Sequence, residues 1–458
     1  MEVTSERALD LDRHDRAARE FLEVAASRAD EVEVHVDGEL DAFVRFADVG
    51  PTQCADRERV VLSFRVRKEG AHGWREAGAK VGSLDREAWT PALERALTLL
   101  EHSPENPEAL PLPEAGRVES VSHSTATELH GVAGKLGWID QALKASAEAQ
   151  LAPAGLAETR VCATTLFNSK GLAVQGSTSK ASFSLTVSGD GANGIGQCIA
   201  HDVQDLDVTS AIRQSTEKGI ASRAPEVFAP CETTVVLEPL AVSSILLFAA
   251  YSGFGAREVE EGTSFLAGRE GDRLFSDCLS ISDNARHPLL RELPFDGEGV
   301  KKSRVALVEN GVLCGPVTDR AHAERMGLAC TGHSPRRPSG QGPMAQSMVV
   351  KAGNESVEEL IRGVDDGLLV SQFHYTNLIE PRELTLTGMT RNGTFRIRNG
   401  EVVGAVKNLR FTQALTQALG RVSGVGSDEA VVGALFDGHL VTPSLVLDGF
   451  RFTSTTDF

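Results

Sequence analysis

Aromatic side chains are scarce in this chain: they make up 5% of 458 residues, with two tyrosines and three tryptophans. Cysteine is scarce too, and the seven thiols lie singly between Cys54 and Cys330 with no C-x-x-C spacing. An odd, unpaired set argues against a disulfide framework or a zinc ribbon and suits a reducing compartment, so a cytoplasmic location is expected. No stretch approaches 18 consecutive apolar residues, and no membrane span or membrane partner is expected. The first residues, Met1 to Asp12, are charged and lack the apolar segment of a secretory signal. An excess of positive charge is also missing, since 46 Lys and Arg face 64 Asp and Glu for a net charge of −18. Binding to DNA or RNA needs a basic stripe that displaces counterions from phosphates. Arg336-Arg337 and Lys301-Lys302 are isolated basic pairs, so no nucleic-acid partner is expected.

What is present is enough apolar residue, 41%, and enough length for two or three domains with sizeable cores. Residues 6–28 suit an amphipathic helix on which Leu9, Phe21, Leu22, Val24 and Ala25 stand among charges. Glu31 to Asp37 alternate between charged and apolar, the pattern of a half-buried strand, and Asp37-Gly38 reads as a hairpin turn into Leu40–Phe46. Val60, Leu62, Phe64 and Val66 alternate again. Ser83 reads as the N-cap of a helix carrying Trp89, Leu93, Ala96, Leu97 and Leu100 on one stripe. Residues 102–117 contain Pro104, Pro107, Pro111 and Pro113 without periodicity and read as a linker. Thr125-Ala-Thr-Glu128 is a capping box for a long helix with Leu129, Val132, Leu136, Ile139 and Leu143 on one face. Strands at Val161–Phe167 and Ala181–Val187 and a helix at Val208–Ala224 follow. Beyond residue 230 the Asn-Gly pairs at 310, 392 and 399 mark hairpin turns, and such a run of hairpins suggests a barrel that hides its strand edges. The expected fold is therefore α+β: an N-terminal α/β domain with an antiparallel sheet and linker (1–117), a middle helix-and-strand region (118–230), and a C-terminal β-rich, barrel-like domain (231–458).

Several patterns carry chemistry only in the right context. Gly189-Asp-Gly191-Ala-Asn-Gly194 fits G-x-G-x-x-G, but no helix start follows it, so a glycine-rich hairpin turn is the better reading. Glu258, Glu260 and Glu261 could act as acid or base, although a solvated face is the default for such a cluster. Tyr375 and Asn377 follow a strand, and Arg391 is placed at a hairpin tip. Together they could grip an extended peptide by strand addition.

The segment on which the rest is organised is residues 234–262. The β-branched run Val235-Val236-Leu237 reads as a buried strand, and Pro239 then suits the first turn of a helix. Leu240, Ile245, Leu246, Leu247, Phe248 and Ala249 make that helix apolar on most of its circumference, so it belongs in a core. It ends at Ser252-Gly253, where Gly253 and Gly255 can leave the helix with positive φ. This element resembles the central helix of the TldD/PmbA family. Further matches occur in order along the chain: Asn168-Ser-Lys-Gly171, Phe295-Asp-Gly-Glu-Gly299, Thr331-Gly-His-Ser334 in the Pro- and Gly-rich loop 332–343, Leu386-Thr-Gly-Met-Thr-Arg-Asn-Gly-Thr-Phe395, Asn399-Gly-Glu401 and Asn408-Leu-Arg-Phe411.

The resemblance implies a two-subunit cytosolic zinc metallopeptidase in which the catalytic subunit carries His-Glu-x-x-x-His after a Leu-Leu pair on this helix. Here Leu246-Leu247 is followed by Phe248, Ala249 and Gly253 at the three motif positions. A benzyl ring, a methyl group and a hydrogen neither ligate zinc nor activate water. The resemblance therefore implies the PmbA-like (TldE-like) subunit, with no cofactor of its own, zinc in a TldD-like partner, peptide substrates, and assembly as a heterodimer or homodimer. Two other readings stand beside it. One is a stand-alone metallopeptidase using His333, His374 or Cys314. The other is a peptide-binding scaffold without proteolysis.

Overall fold

The computed structural model describes residues 6–116, 118–336, 340–433 and 438–456. Arg117 at the end of the expected linker, Arg337 of the expected basic pair, residues 337–339 of the Pro- and Gly-rich loop, and the first five residues lie outside them.

The N-terminal half is one six-stranded antiparallel sheet with helices on one face. In chain order it runs α1 (Glu6–Leu9), α2 (Leu11–Ala25), β1 (Glu31–Ala47), β2 (Gly50–Glu69), β3 (Trp74–Val81), α3 (Arg86–Leu100), α4 (Thr125–Glu128), α5 (Val132–Glu148), β4 (Ala152–Asn168), β5 (Ala173–Gly189), β6 (Ala192–Ala200) and α6 (Val208–Ala221). The strand order is β3-β2-β1-β4-β5-β6, so strands from both sides of the linker share the sheet. Even-numbered β1 residues point to the helices: Val32, Val34 and Val36 pack with Phe21, Trp89 and Leu93, while Val44 and Phe46 pack with Ile139 and Ile212.

The C-terminal half contains β7 (Glu232–Leu237), α7 (Pro239–Ser252), α8 (Ala256–Glu260), β8 (Ile281–Asp283), β9 (Val305–Glu309), β10 (Val312–Leu313), α9 (Arg320–Met326) and β11 (Met348–Val350). There follow β12 (Asp366–Glu380), β13 (Thr385–Arg398), β14 (Glu401–Ala405), β15 (Leu409–Ala414), β16 (Val422–Val425), β17 (Ala430–Gly433), β18 (His439–Thr442) and β19 (Leu445–Thr455). One sheet has the order β10-β9-β8-β11-β18-β17. The other runs β12-β7-β19-β15-β13-β14, and a β12–β13 pairing closes five of its strands into a ring. The fold is thus α+β with a partly barrel-like C-terminal region. α7 lies in the core between these sheets, with Ile245, Leu246 and Ala249 packed among Leu307, Met348, Leu368 and Leu447.

Several expected turns differ. β1 continues unbroken through Asp37-Gly38, because Gly38 is there for space: a Cβ would lie 1.5 Å from the Ala8 carbonyl oxygen. Asn392-Gly393 forms a bulge inside β13, with both residues at positive φ, whereas Asn310-Gly311 and Asn399-Gly400 do form the expected turns. The helix after Ser83 has Asp85, not Ser83, at its N-cap position and no side-chain cap, and the helix expected from Thr125 breaks at His130-Gly131. The buried Lys135 ammonium there donates to the His130 and Gly131 carbonyls at 2.6 and 3.2 Å and to the Thr159 hydroxyl at 2.8 Å.

From Glu31 to Val36, β1 is buried on both faces, not one. Its odd residues Glu31, Glu33 and His35 are all enclosed. Arg67, directly opposite Glu31 on β2, meets it at 2.5 Å and donates to the Leu110 carbonyl at 2.8 Å, while the Leu112 N–H donates to Glu31 at 2.9 Å. One buried ion pair therefore also holds the proline-rich linker. Arg67→Ala should lower stability by up to about 3–5 kcal/mol, because it leaves the buried Glu31 carboxylate with Lys170 at 3.3 Å as its remaining charge partner. Urea unfolding, with limited proteolysis between residues 106 and 113, measures this, and an unchanged midpoint with an uncut linker would refute it.

Candidate functional site

α7 meets the rest of the site along one face. Ser244, Leu247, Phe248 and Tyr251 recur at helical spacing on the side that is not fully buried, with Tyr251 42% exposed. The Ser244 hydroxyl reaches the Phe373 carbonyl of β12 at 3.4 Å, so this face borders β12. Phe248 is half-buried on that border, whereas Ala249 is 1% exposed in the core. Gly253 closes the helix at φ −114° and Gly255 follows at −81°, so neither uses the positive φ expected of it. Space explains both. A Cβ on Gly253 would lie 2.4 Å from Cε1 of Phe265, and one on Gly255 would lie 2.5 Å from the Pro343 carbonyl oxygen. The Ser264 hydroxyl donates to the Gly253 carbonyl at 2.5 Å and fixes this corner. The residues at 248, 249 and 253 do not fit a metal: none carries a donor atom, and Phe265 occupies the space next to the third.

Of the glutamates after α7, Glu260 and Glu261 are exposed, as a solvated face requires, and each is ion-paired, while Glu258 is partly buried. Glu260 pairs with Arg325 of α9 at 2.7 Å, and Arg257 pairs with Glu261 at 2.9 Å. Burial raises the Glu258 carboxyl above its usual range. Asp319 accepts from Nδ1 of His322 at 2.7 Å, which turns the other ring nitrogen towards Glu260. Glu260, Glu261, Asp319, His322 and Arg325 line one side of a cleft of about 520 Å³ that Arg65, Arg67 and Glu76 of the N-terminal sheet also line. Such a lining can bind charged groups and exchange protons. Among the described residues, no three His, Cys, Asp or Glu side chains gather as a metal site.

A second cleft of about 670 Å³ continues along the polar face of the sheet, where Asp37 and Thr164 meet Asp296, Lys302 and Arg336 of the C-terminal half. Arg336 bridges the halves, pairing with Asp37 at 2.5 Å and donating to Thr164 at 2.9 Å. Burial and the neighbouring Glu298 push Asp296 up to about 7, against three backbone N–H groups that favour its ionised form. Burial would also raise Glu33, but Arg65 at 3.2 Å and His35 at 3.2 Å overcome it and hold the carboxyl at about 2.

Of the residues singled out from the sequence, Tyr375, Asn377 and Arg391 come together, joined by His374. Tyr375 sits at a β12 bulge with φ +49° and is 71% exposed. Asn377 donates to the Tyr375 carbonyl at 3.0 Å, and Arg391 contacts His374 at 3.1 Å. Arg391 lies within β13 opposite Gln372, not at a hairpin tip. His333 belongs to a separate buried network with Asp283 at 3.0 Å and Thr331 at 2.9 Å, and Cys314 is an exposed thiol raised by partial burial. The charged clefts were missed from sequence. Their signal was the alternation of Glu31, Glu33, His35 and Asp37, with Arg59, Arg65 and Arg67 on the neighbouring strand.

Gly253→Ala should cost about 1–3 kcal/mol through overpacking against Phe265, and Phe265→Leu in the same chain should restore part of that loss. Equal losses in both backgrounds, measured by urea unfolding, would show that the ring is not the obstacle. Glu33 lies below its unfolded value, so it stabilises the fold above about pH 4.5 and loses that effect as the pH falls towards 2. Glu33→Gln should remove about 3 kcal/mol at pH 7 and flatten the acid limb of a stability–pH curve. A parallel curve for wild type and variant would contradict it.

The C-terminal half matches a family model described as the PmbA/TldA metallopeptidase C-terminal domain over residues 230–454. A metalloprotease of Methanothermobacter thermautotrophicus is 28% identical over 170 residues, which is 37% of each chain. A metalloprotease PmbA homolog of Haemophilus influenzae is 26% identical over 262 residues, 56% of this chain and 53% of its own. The matched region thus spans between about a third and a half of these relatives' length. By structure, TldE from Thermococcus kodakarensis superposes with a TM-score of 0.86 at 21% identity, covering 96% of this chain and 100% of its own. A putative modulator of a DNA gyrase from Thermotoga maritima gives 0.82 at 19% identity, covering 96% and 99%. The fold is thus shared with these structures along nearly the whole chain, and residues 230–454 belong to the PmbA/TldD family's C-terminal domain.

Proposed function

We propose that this chain is the non-catalytic subunit of a TldD/PmbA-type zinc metallopeptidase that degrades or processes peptides and unfolded polypeptides. The observation that carries the reading is the closed end of α7. Phe248, Ala249 and Gly253 stand where the motif needs two imidazoles and a carboxylate, and Phe265 leaves no room for a side chain at the last of them. A TldD-like catalytic subunit would supply the His-Glu-x-x-x-His helix and its zinc, in a heterodimer; a homodimer is the form left when that subunit is absent. The part left to this chain is to complete a chamber that excludes bulk water, to hold an extended peptide beside Tyr375, Asn377 and Arg391, and to keep the partner's metal site rigid. Seven unbridged cysteines suit work in the cytoplasm. No helix of the described residues is long and apolar enough to cross a membrane.

Zinc content and cleavage of an unfolded casein substrate, measured for the purified chain alone and mixed with a His-Glu-x-x-x-His family member from the same genome, test the reading. Zinc near one per complex and cleavage only in the mixture is the expected result. One tightly held zinc per chain, or cleavage by the chain alone, would overturn it.

A further inference from the structure

β3 ends the N-terminal sheet and leaves one edge open. Its inner edge pairs with β2 from Glu69↔Trp74 to Leu62↔Val81. On the outer edge Trp74 exchanges backbone hydrogen bonds with Asn106 at 3.1 and 2.8 Å. Backbone groups in an antiparallel strand alternate between its two edges. The outward-pointing residues in step with Trp74 are therefore Glu76, Gly78 and Lys80, and among the described residues no strand pairs with them on that side.

This edge is self-complementary. Laid antiparallel on its copy about a two-fold axis at Gly78, Glu76 falls opposite Lys80 of the second copy, and Lys80 opposite Glu76. All three pairs occupy hydrogen-bonded positions, worth about six backbone bonds. Ala77, Gly78 and Ala79 put no bulk at the centre, and Gly78 and Lys80 are exposed. Glu76 keeps 27% of its side chain exposed while holding Arg67 at 2.7 Å. Two alternative registers are worse. An axis at Glu76 opposes two carboxylates and drives the copy into Asn106, and an axis at Lys80 opposes two ammonium groups. We propose that β3 is a homotypic docking edge, on which a second copy of this chain adds its own β3 across Gly78 and joins two six-stranded sheets into one. This does not rest on the reading of α7.

Light scattering on the size-fractionated full chain tests it, with Lys80→Glu and Lys80→Pro as variants. Proline at Lys80 removes an N–H that the monomer's own ladder does not use, so the monomer should keep its fold. The expected result is a wild-type dimer and a dimer dissociation constant at least 50-fold weaker in both variants. A wild-type monomer at every concentration, or a Lys80→Pro chain as dimeric as wild type, would overturn the proposal. Hydrogen exchange of the wild type gives a reading that needs no variant. Protection at Glu76, Gly78 and Lys80 should fall on dilution, and concentration-independent exchange there would also overturn it.

Discussion

Acidic side chains on the odd positions of β1 can be buried only because β2 sets an arginine or a hydrogen-bonding group opposite them. Arg67 faces Glu31 and Arg65 faces Glu33 in strict register, and Glu76 on β3 meets both arginines. An unpaired charge in such a place would cost several kcal/mol, so pairing is the condition for closing the C-terminal half over this face. The clefts follow from it. A sheet face made of ion pairs does not collapse onto its cover as an apolar face would, and it leaves polar space spanned by contacts such as Arg336 with Asp37.

The C-terminal half obeys the opposite rule. α7 is apolar almost all round and is fixed by packing, with no side-chain cap at its start. Close packing reaches its limit at Gly253, where Phe265 fills the volume a side chain would need, and Phe265 is itself locked edge-on against Phe254 at 5.2 Å. A helix end so tightly filled is a structural joint, and the chemistry open to this region shifts to the charged residues of α8 and α9 and to the polar ribbon of β12 and β13.

The alternation of β1, the buried run of β7, the proline at the start of α7 and the Asn-Gly turns at 310 and 399 were legible because each is a local effect of side-chain period or backbone freedom. Asn392-Gly393 has the positive φ of a turn but uses it for a bulge within β13, whereas Gly38 and Gly253 misled for one shared reason. A glycine placed to admit a neighbouring group looks, in sequence, like a glycine placed to turn the chain. Local pattern likewise could not show that His374 would meet Arg391, 17 residues away, or that His322 would turn towards Glu260.

By itself the sequence determined the α+β class, the core character of α7, the absence of donor atoms at 248, 249 and 253, and the acidic balance that speaks against a nucleic-acid partner. Only the tertiary structure decided that the charged face of β1 is enclosed and that Phe265 occupies the space beside Gly253. The physical reason is that periodicity records which face of an element differs from the other. What covers that face depends on a chain segment more than a hundred residues away, as in the pairing of Arg336 with Asp37.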